Sequence, residues 1–204
     1  CRPANDTLPN PEACCVTGIT PQLAAEKGLC EAEFIALIHE QMAQAHTCSL
    51  GYNSLRFDDE VTRHLLYRNF YDAYAREWQQ GNSRWDLIDL VRTMLALRPE
   101  GLQWPVDTEG RVSLRLEKLT AANGIAHADA HDALSDVYAT IELAKLIKQA
   151  QPKLFQFFLD NRGKHQVNTL LQLGRYTPVV HVSGMYGADQ NFLALVVPIC
   201  QHPH

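Results

Sequence analysis

Hydrophobic positions recur at helical spacing in several stretches of the chain. The clearest stripes occupy two segments: Phe34, Ile35, Ile38 and Met42, and then Leu87, Leu90, Val91, Met94 and Leu95. A shorter helix is predicted to begin at Thr20-Pro21 and to end at Gly28, since threonine is a common N-cap and proline favours the first helical position. Residues 132–149 form the longest predicted helix, with Val137, Ile141 and Ala144 facing inward.

Short apolar runs predict strands between and after these helices. Residues 47–52 suit a buried strand, and a helix follows from Phe57 with Val61, Leu65 and Leu66 on its inner side. Residues 98–112 are predicted to form a loop or a small hairpin, and Ser113 is predicted to cap a short helix. Two β-like runs follow Pro178: Val179, Val180 and Val182, and then residues 192–197. We therefore expect an α/β domain over residues 1–175, and a linker with the beginning of a β-rich domain over residues 176–204.

Composition and charge restrict the classes of partner. The 204 residues are 46% hydrophobic and 20% charged, which fits one globular domain or one domain with a short extension. The net charge of −5 means that nucleic-acid binding would require a local basic groove. No run approaches the roughly 20 apolar residues of a membrane span, and the first residues do not resemble a signal peptide, so we expect no membrane association and a cytoplasmic location. The six cysteines form no C-x-x-C pair and are expected to be reduced thiols.

The first candidate for chemistry is Asp58, which follows the predicted strand at residues 47–52 and opens a helix. A carboxylate at the carboxyl end of a strand lies where ligands usually bind in α/β sheets, and it suits Mg²⁺ or Mn²⁺. The alternative is that Asp58 only caps the helix, a common role for aspartate.

The second candidate is the segment from His131 to Asp136, at the start of the longest predicted helix. At about 100° per residue, the two side chains would lie roughly 140° apart on one helix, so they converge only if His131 precedes the helix. Histidine can accept a proton from water while a nearby aspartate holds a cation. The alternative is an exposed histidine followed by an aspartate that favours the helix dipole.

The third candidate is a stretch in which basic and aromatic residues alternate. Its arginines are Arg63, Arg68, Arg76, Arg84, Arg92, Arg111 and Arg115. Its aromatic residues are Tyr67, Tyr71, Tyr74, Trp78 and Trp85. Such a mixture suits a groove for single-stranded nucleic acid, where cations contact phosphates and rings stack on bases. The alternative is that the aromatic residues belong to the core and the arginines to a solvated face.

Taken in order, these segments resemble the DEDDh family of 3′→5′ exonucleases. Residues 53–58 are similar to the second motif of that family, and residues 131–136 match its third motif, H-x-A-x-x-D. Residues 56–63 and 82–86 are similar to longer segments of bacterial members, and residues 181–185 resemble the link to their SH3-like second domain. The resemblance covers essentially the whole chain.

The resemblance implies a ribonuclease-H-like fold and two-metal hydrolysis of single-stranded DNA in repair and recombination, with two Mg²⁺ ions or with Mn²⁺. Asp58 and Asp136 would be metal ligands, and His131 would be the general base. Arg115 would contact a phosphate near the cut end, and the other residues of the DNA groove would be Arg63, Tyr74, Trp78 and Arg92. The expected partners are single-stranded DNA and a single-strand-binding protein, and we expect a monomer.

The first motif of the family, Asp-x-Glu on the first strand, has no counterpart in this chain. Asp6 and Glu12 have the wrong spacing for it, so about fifty further residues are expected to precede Cys1 in the parent protein. Three alternatives remain open: a non-catalytic single-strand-binding module, an RNA-trimming or proofreading nuclease, and an α/β domain without a nucleic-acid role.

Overall fold

A computed structural model describes residues 1–126 and 133–201. The helices and strands of this part are α1 (Pro11–Thr17), α2 (Pro21–Lys27), α3 (Glu31–Met42), β1 (Cys48–Gly51), α4 (Asp58–Arg68), β2 (Ser83–Asp86), α5 (Leu87–Leu97), α6 (Leu116–Ala122), α7 (Ala133–Ala150), α8 (Pro152–Asp160), α9 (Lys164–Leu171), β3 (Val179–Val182) and β4 (Leu193–Val196). Strands β1 and β2 form one two-stranded sheet, and β3 and β4 form another. Within the described residues, no helix is long and apolar enough to cross a membrane.

The chain divides into two compact units, which we describe separately. The described residues of the first unit are 1–49, 54–84 and 133–134, and those of the second unit are 50–53, 85–126 and 135–201. Both units mix helices with strand segments, as expected for an α/β chain.

The core of the first unit forms where α3 packs against α4. Ile35 of α3 and Leu66 of α4 are fully buried, in agreement with the predicted stripes. The prediction for Val61 is wrong, because this side chain is 46% exposed. Asp59 is buried in α4 instead, since its carboxylate bonds to two arginines of the same unit.

The core of the second unit is built on α5, which packs against α8 and β3. Leu87, Leu90, Val91 and Met94 have no exposed surface, which confirms the predicted stripe. Asp86 caps this helix by accepting a hydrogen bond from the backbone N–H of Ile88.

The inner face of α7 differs from the predicted one. Val137 and Ile141 are 53% and 39% exposed, whereas Ala144 is buried as expected. The buried face carries several small side chains, which allow close packing, and it consists of Ala139, Thr140, Leu143, Ala144 and Ile147.

The remaining elements largely follow the turn and strand patterns. Val106 and Val112 form an antiparallel bridge, which confirms a small hairpin before α6. The N-cap of α6 is Arg115 and not the predicted Ser113. Strands β3 and β4 pair antiparallel, with Val179 opposite Val196, so the predicted β-like runs are confirmed.

Candidate active site

Asp58 is the first residue of α4, and its side chain lies on an exposed part of the first unit. The N-cap position belongs to Phe57, which makes no side-chain cap hydrogen bond. The alternative interpretation of Asp58 as the N-cap is therefore wrong. Asp58, Asp59 and Glu60 give the first turn three carboxylates, and negative charge is favourable at a helix N-terminus.

The turn that follows β1 is fixed by Asp86, a residue that the sequence patterns did not single out. Asn53 has a left-handed backbone with φ of 56°, and its N–H donates to Asp86 Oδ1 at 2.7 Å. The same oxygen accepts the N–H of Ile88 at 3.1 Å. The available signal was an aspartate directly before an apolar helical stripe, which is typical of an N-cap.

Tyr52 holds the segment that carries Arg115. Its hydroxyl donates a hydrogen bond to the backbone carbonyl of Leu114, and both residues belong to the second unit. Burial raises the pKa of Tyr52 well above its ordinary range, although the positive charge of Arg92 lowers it in part. Tyr52 is therefore a neutral donor at every physiological pH.

Five charged side chains of the first unit form a cluster that we call the arginine cluster: Asp59, Arg63, Arg76, Glu77 and Arg84. Arg76 Nη2 donates to Asp59 Oδ1 at 2.7 Å, and Arg84 Nη1 donates to Asp59 Oδ2 at 2.9 Å. Arg84 Nε also lies 3.2 Å from Glu77 Oε2. The side chains of Arg76 and Asp59 are 1% and 9% exposed, so the centre of the cluster is buried.

Arg63 joins the cluster through Glu77. Its Nε and Nη2 atoms donate to the two carboxylate oxygens of Glu77 at 2.7 and 2.9 Å, and its Nη1 atom pairs with Glu60. This hydrogen bonding to Glu77 raises the pKa of the guanidinium further. The ring of Tyr74 lies 5.0 Å from Arg63 Cζ, which is within cation–π distance. The guanidinium of Arg63 therefore already contacts two carboxylates and one aromatic ring.

Tyr74 and Trp78 are the exposed aromatic residues beside this cluster. They are 57% and 66% exposed, in contrast to Trp85, which is 7% exposed in the second unit. Exposed rings of this size are available for stacking, whereas Trp85 packs edge-on against Phe155 with 5.0 Å between the ring centroids. The predicted aromatic set therefore contains both surface and core residues.

Arg92 lies on α5 in the second unit, where three groups surround it. Its Nη1 atom donates to Asp89 at 2.7 Å, and the ring of Phe192 lies 5.7 Å from its Cζ atom. A Cβ atom on Gly184 would come within 2.8 Å of Nη2, so a larger residue there would require the end of the Arg92 side chain to shift. The side chain of Arg92 is 17% exposed.

Arg115 lies at the N-cap of α6 and is exposed. It borders an open groove of the second unit, lined by Asp107, Arg111, Val112, Ser113, Leu114, Arg115, Lys118, Ala188 and Asp189. Arg111 pairs with Asp107 and Glu109. Among the residues that the structure describes, Arg115 and Lys118 make no ion pair, although the carboxylates of Asp107 and Asp189 also line the groove.

Asp136 lies in the first turn of α7, and His131 lies outside the described residues. Asp136 belongs to the second unit and Asp58 to the first. Residues 1–126 and 133–201 contain no group of three or more His, Cys, Asp or Glu side chains arranged to hold a metal ion. The donor chemistry nevertheless fits Mg²⁺ or Mn²⁺, since both ions prefer carboxylate oxygens.

Comparison with family models gives two matches. Residues 1–144 match the RNase_T model, described as "Exonuclease", and residues 162–204 match the "Exonuclease I SH3-like domain". Two curated relatives named exodeoxyribonuclease I are similar along the whole chain. Identity is 56% with the protein of Haemophilus influenzae and 54% with that of Escherichia coli K12, and each match covers 100% of this chain and 43% of the relative. The chain thus spans less than half the length of these relatives.

Solved structures are similar over the same extent. E. coli exonuclease I in complex with a dA16 oligonucleotide has a TM-score of 0.94 and 54% identity, covering 100% of this chain and 43% of that one. A zinc-bound form of the E. coli complex with single-stranded DNA has a TM-score of 0.93 at 54% identity and the same coverage. A crystal structure of SSB/Exonuclease I in complex with the inhibitor CFAM has a TM-score of 0.93 at 53% identity, covering 100% of this chain and 44% of that chain.

Proposed function

The chain belongs to the exonuclease family, with its ribonuclease-H-like α/β fold, and from this premise we propose that the parent protein degrades single-stranded DNA from the 3′ end. The observation that carries this proposal is the match along the whole chain to two exodeoxyribonuclease I proteins at 54% and 56% identity. Relatives solved with oligonucleotides support single-stranded DNA as the substrate. We also propose a role in DNA repair and recombination, which the resemblance to the exonuclease family suggests.

The proposed reaction is hydrolysis of the terminal phosphodiester bond. We assign Asp58 and Asp136 to hold two Mg²⁺ ions, and the zinc-bound relative supports a divalent metal site. When bound, such ions polarise the phosphate and lower the pKa of the attacking water. His131 accepts the proton of that water as its oxygen bonds to phosphorus, the bond to the 3′ oxygen breaks, and the departing 3′ oxygen takes up a proton from solvent. The products are a nucleoside 5′-monophosphate and a strand with a new 3′ hydroxyl.

The proposed DNA contacts fall into two classes. Arg115 is the best-supported phosphate contact, because it is exposed and makes no ion pair in the described part of the chain. Trp78 and Tyr74 are proposed to stack on bases, since both rings are largely exposed. Arg63 and Arg92 have carboxylate partners, so we propose that they contribute less to phosphate binding than Arg115 does.

A single-strand-binding protein is the partner that we propose for the parent protein. The similar structure of SSB/Exonuclease I supports this choice. Such a partner coats the same single strands that the enzyme degrades, so it would bring the nuclease to its substrate.

The test is nucleotide release by the product of the complete gene from a 3′-labelled single-stranded oligonucleotide with Mg²⁺. Asp58→Asn, Asp136→Ala and His131→Ala are expected to lower the rate by about 10²–10⁴-fold, the range for loss of acid–base and metal-site groups. All three variants are expected to retain binding of the oligonucleotide in Ca²⁺. A wild-type protein that binds the oligonucleotide and never shortens it would favour the non-catalytic binding module. Release from an RNA oligonucleotide but not from DNA would favour the RNA-trimming alternative.

A further inference from the structure

The first turn of α4, which presents Asp58, lacks the usual means of holding a helix N-terminus. The first N–H groups of a helix have no partner within the helix, and a side-chain cap normally satisfies one of them. Phe57 stands at the cap position and provides no such hydrogen bond. Helix ends fray readily, and Asp58 is the first residue of α4, so its position depends on how firmly the first turn of the helix is held.

Asp59 helps to hold this first turn from the second position of the helix. Its two carboxylate oxygens bond to two different arginines, Arg76 at 2.7 Å and Arg84 at 2.9 Å. Arg76 lies in a 3₁₀ turn at Ala75–Glu77, and Arg84 lies in β2. The first turn of α4 is therefore tied to two separate segments of the first unit, one on each oxygen of a single carboxylate.

The energetics of this contact argue for a positional role. Burying an ion pair is weak evidence for stability, because desolvation of both charges offsets their attraction. Arg76 Nε is also buried without a hydrogen-bond partner among the described residues, which adds a further cost. A hydrophobic residue at position 59 would avoid both costs but would not fix the direction of the helix start.

The geometry points to Asp59 as a positioning residue that holds the first turn of α4, and thereby Asp58, for metal binding. This inference rests on the proposed function, which assigns Asp58 as a ligand. Mg²⁺ requires near-ideal octahedral geometry, so a displaced ligand weakens the site even when its carboxylate is intact. Loss of a residue that orients a ligand typically lowers metal affinity by about 10–100-fold.

The test compares Asp59→Asn with a matched control, Glu77→Gln, in the product of the complete gene. Glu77 is a buried carboxylate of the same cluster that also pairs with two arginines, but it is 19 residues from Asp58 in sequence. Mn²⁺ is the probe, and its affinity is measured by electron paramagnetic resonance without DNA. We expect Asp59→Asn to weaken Mn²⁺ binding at least about 10-fold and Glu77→Gln to change it less than about 3-fold.

Wild-type Mn²⁺ affinity in Asp59→Asn, or equal losses in both variants, would overturn the inference. If Asp59→Asn does not fold, the double variant Asp59→Asn/Arg76→Met removes the unpaired buried cation and is tested in its place. We expect this folded double variant to keep the weakened Mn²⁺ affinity, and wild-type affinity would again overturn the inference. Asp58→Asn distinguishes the two claims, because unchanged Mn²⁺ binding there contradicts the proposed function itself.

Discussion

The arginine cluster of the first unit and the Arg115 groove of the second unit use the same side chain in different ways. In the cluster, Arg63, Arg76 and Arg84 share the carboxylates of Asp59 and Glu77. In the groove, Arg115 is exposed and has no ion pair within the described residues. An arginine with a buried carboxylate partner holds two segments of the protein together, whereas an arginine without such a partner can bind a phosphate. Positive charge in a sequence does not distinguish these two roles.

The largest effect is expected from removing the buried cation of the cluster. Arg76→Ala leaves Asp59 buried with Arg84 as its remaining arginine partner, so we expect a loss of about 3 kcal/mol, at the lower end of the range for breaking a buried pair. Arg68→Ala is the control, because the Arg68–Glu31 pair is exposed and such pairs contribute about 0–1 kcal/mol. The measurement is urea unfolding of the complete gene product. An equal loss of unfolding free energy in the two variants would contradict the expected difference between buried and exposed ion pairs.

Trp78→Ala tests whether the exposed ring beside the arginine cluster contacts DNA. If this exposed ring stacks on a base, its removal weakens single-stranded DNA binding by about 1–3 kcal/mol. Because stacking involves no phosphate, the dependence of affinity on salt is expected to stay the same. Phe70→Ala is the control, since Phe70 is 99% exposed and we assign it no DNA contact. Titration of a fluorescent oligonucleotide at several salt concentrations measures both quantities, and a changed salt slope would contradict stacking.

Arg115→Ala tests the groove itself. Loss of one phosphate contact is expected to lower affinity for single-stranded DNA about 10-fold and to reduce the slope of log K against log salt by about 0.7. Arg111→Ala is the matched control, because Arg111 is exposed in the same groove but paired with Asp107 and Glu109. We expect a smaller change of slope for Arg111→Ala and for Arg63→Ala. A reduction by Arg63→Ala equal to that by Arg115→Ala would break the comparison.

The smallest effect concerns Tyr52, which holds the backbone beside Arg115. Its folded pKa is raised above the unfolded value of about 10, so the folded state keeps the proton as pH rises and the unfolded state loses it. The stability that Tyr52 contributes is therefore complete below pH 10 and declines above it. Tyr52→Phe is expected to cost about 1 kcal/mol at neutral pH and to reduce the alkaline decline. Urea unfolding at pH 7 and pH 11 measures both, and an equal decline in both proteins would contradict this role.

The fold was predictable where large apolar side chains make up the core. The stripe of α5 is continuous, and four of its five predicted residues are fully buried while Leu95 is partly buried, so periodicity alone identified it. The same reasoning failed on α7, where alanine and threonine form much of the buried face while Val137 and Ile141 face solvent. It also missed β2, because two of the four residues in Ser83–Asp86 are charged and Asp86 is nevertheless buried.

The candidate site was predictable only where its residues form a local motif. Asp58 and Asp136 stand out through spacing and resemblance, and these assignments remain proposals. Asp59 gave no such signal, and the local signal at Asp86 indicated only a helix cap, since their further roles depend on hydrogen bonds across 17 and 33 residues of sequence. The ion pairs of the arginines also depend on contacts between residues that are distant in sequence. The sequence alone therefore did not show which of the seven arginines have carboxylate partners.

The most direct test of the account follows both ends of one substrate. A single-stranded DNA oligonucleotide carries different labels at its 5′ and 3′ ends, and the complete gene product is added with Mg²⁺. Degradation from the 3′ end releases the 3′ label first as a mononucleotide, while the 5′ label remains on strands that shorten progressively. Release of the 5′ label first, or binding without any shortening, would contradict it.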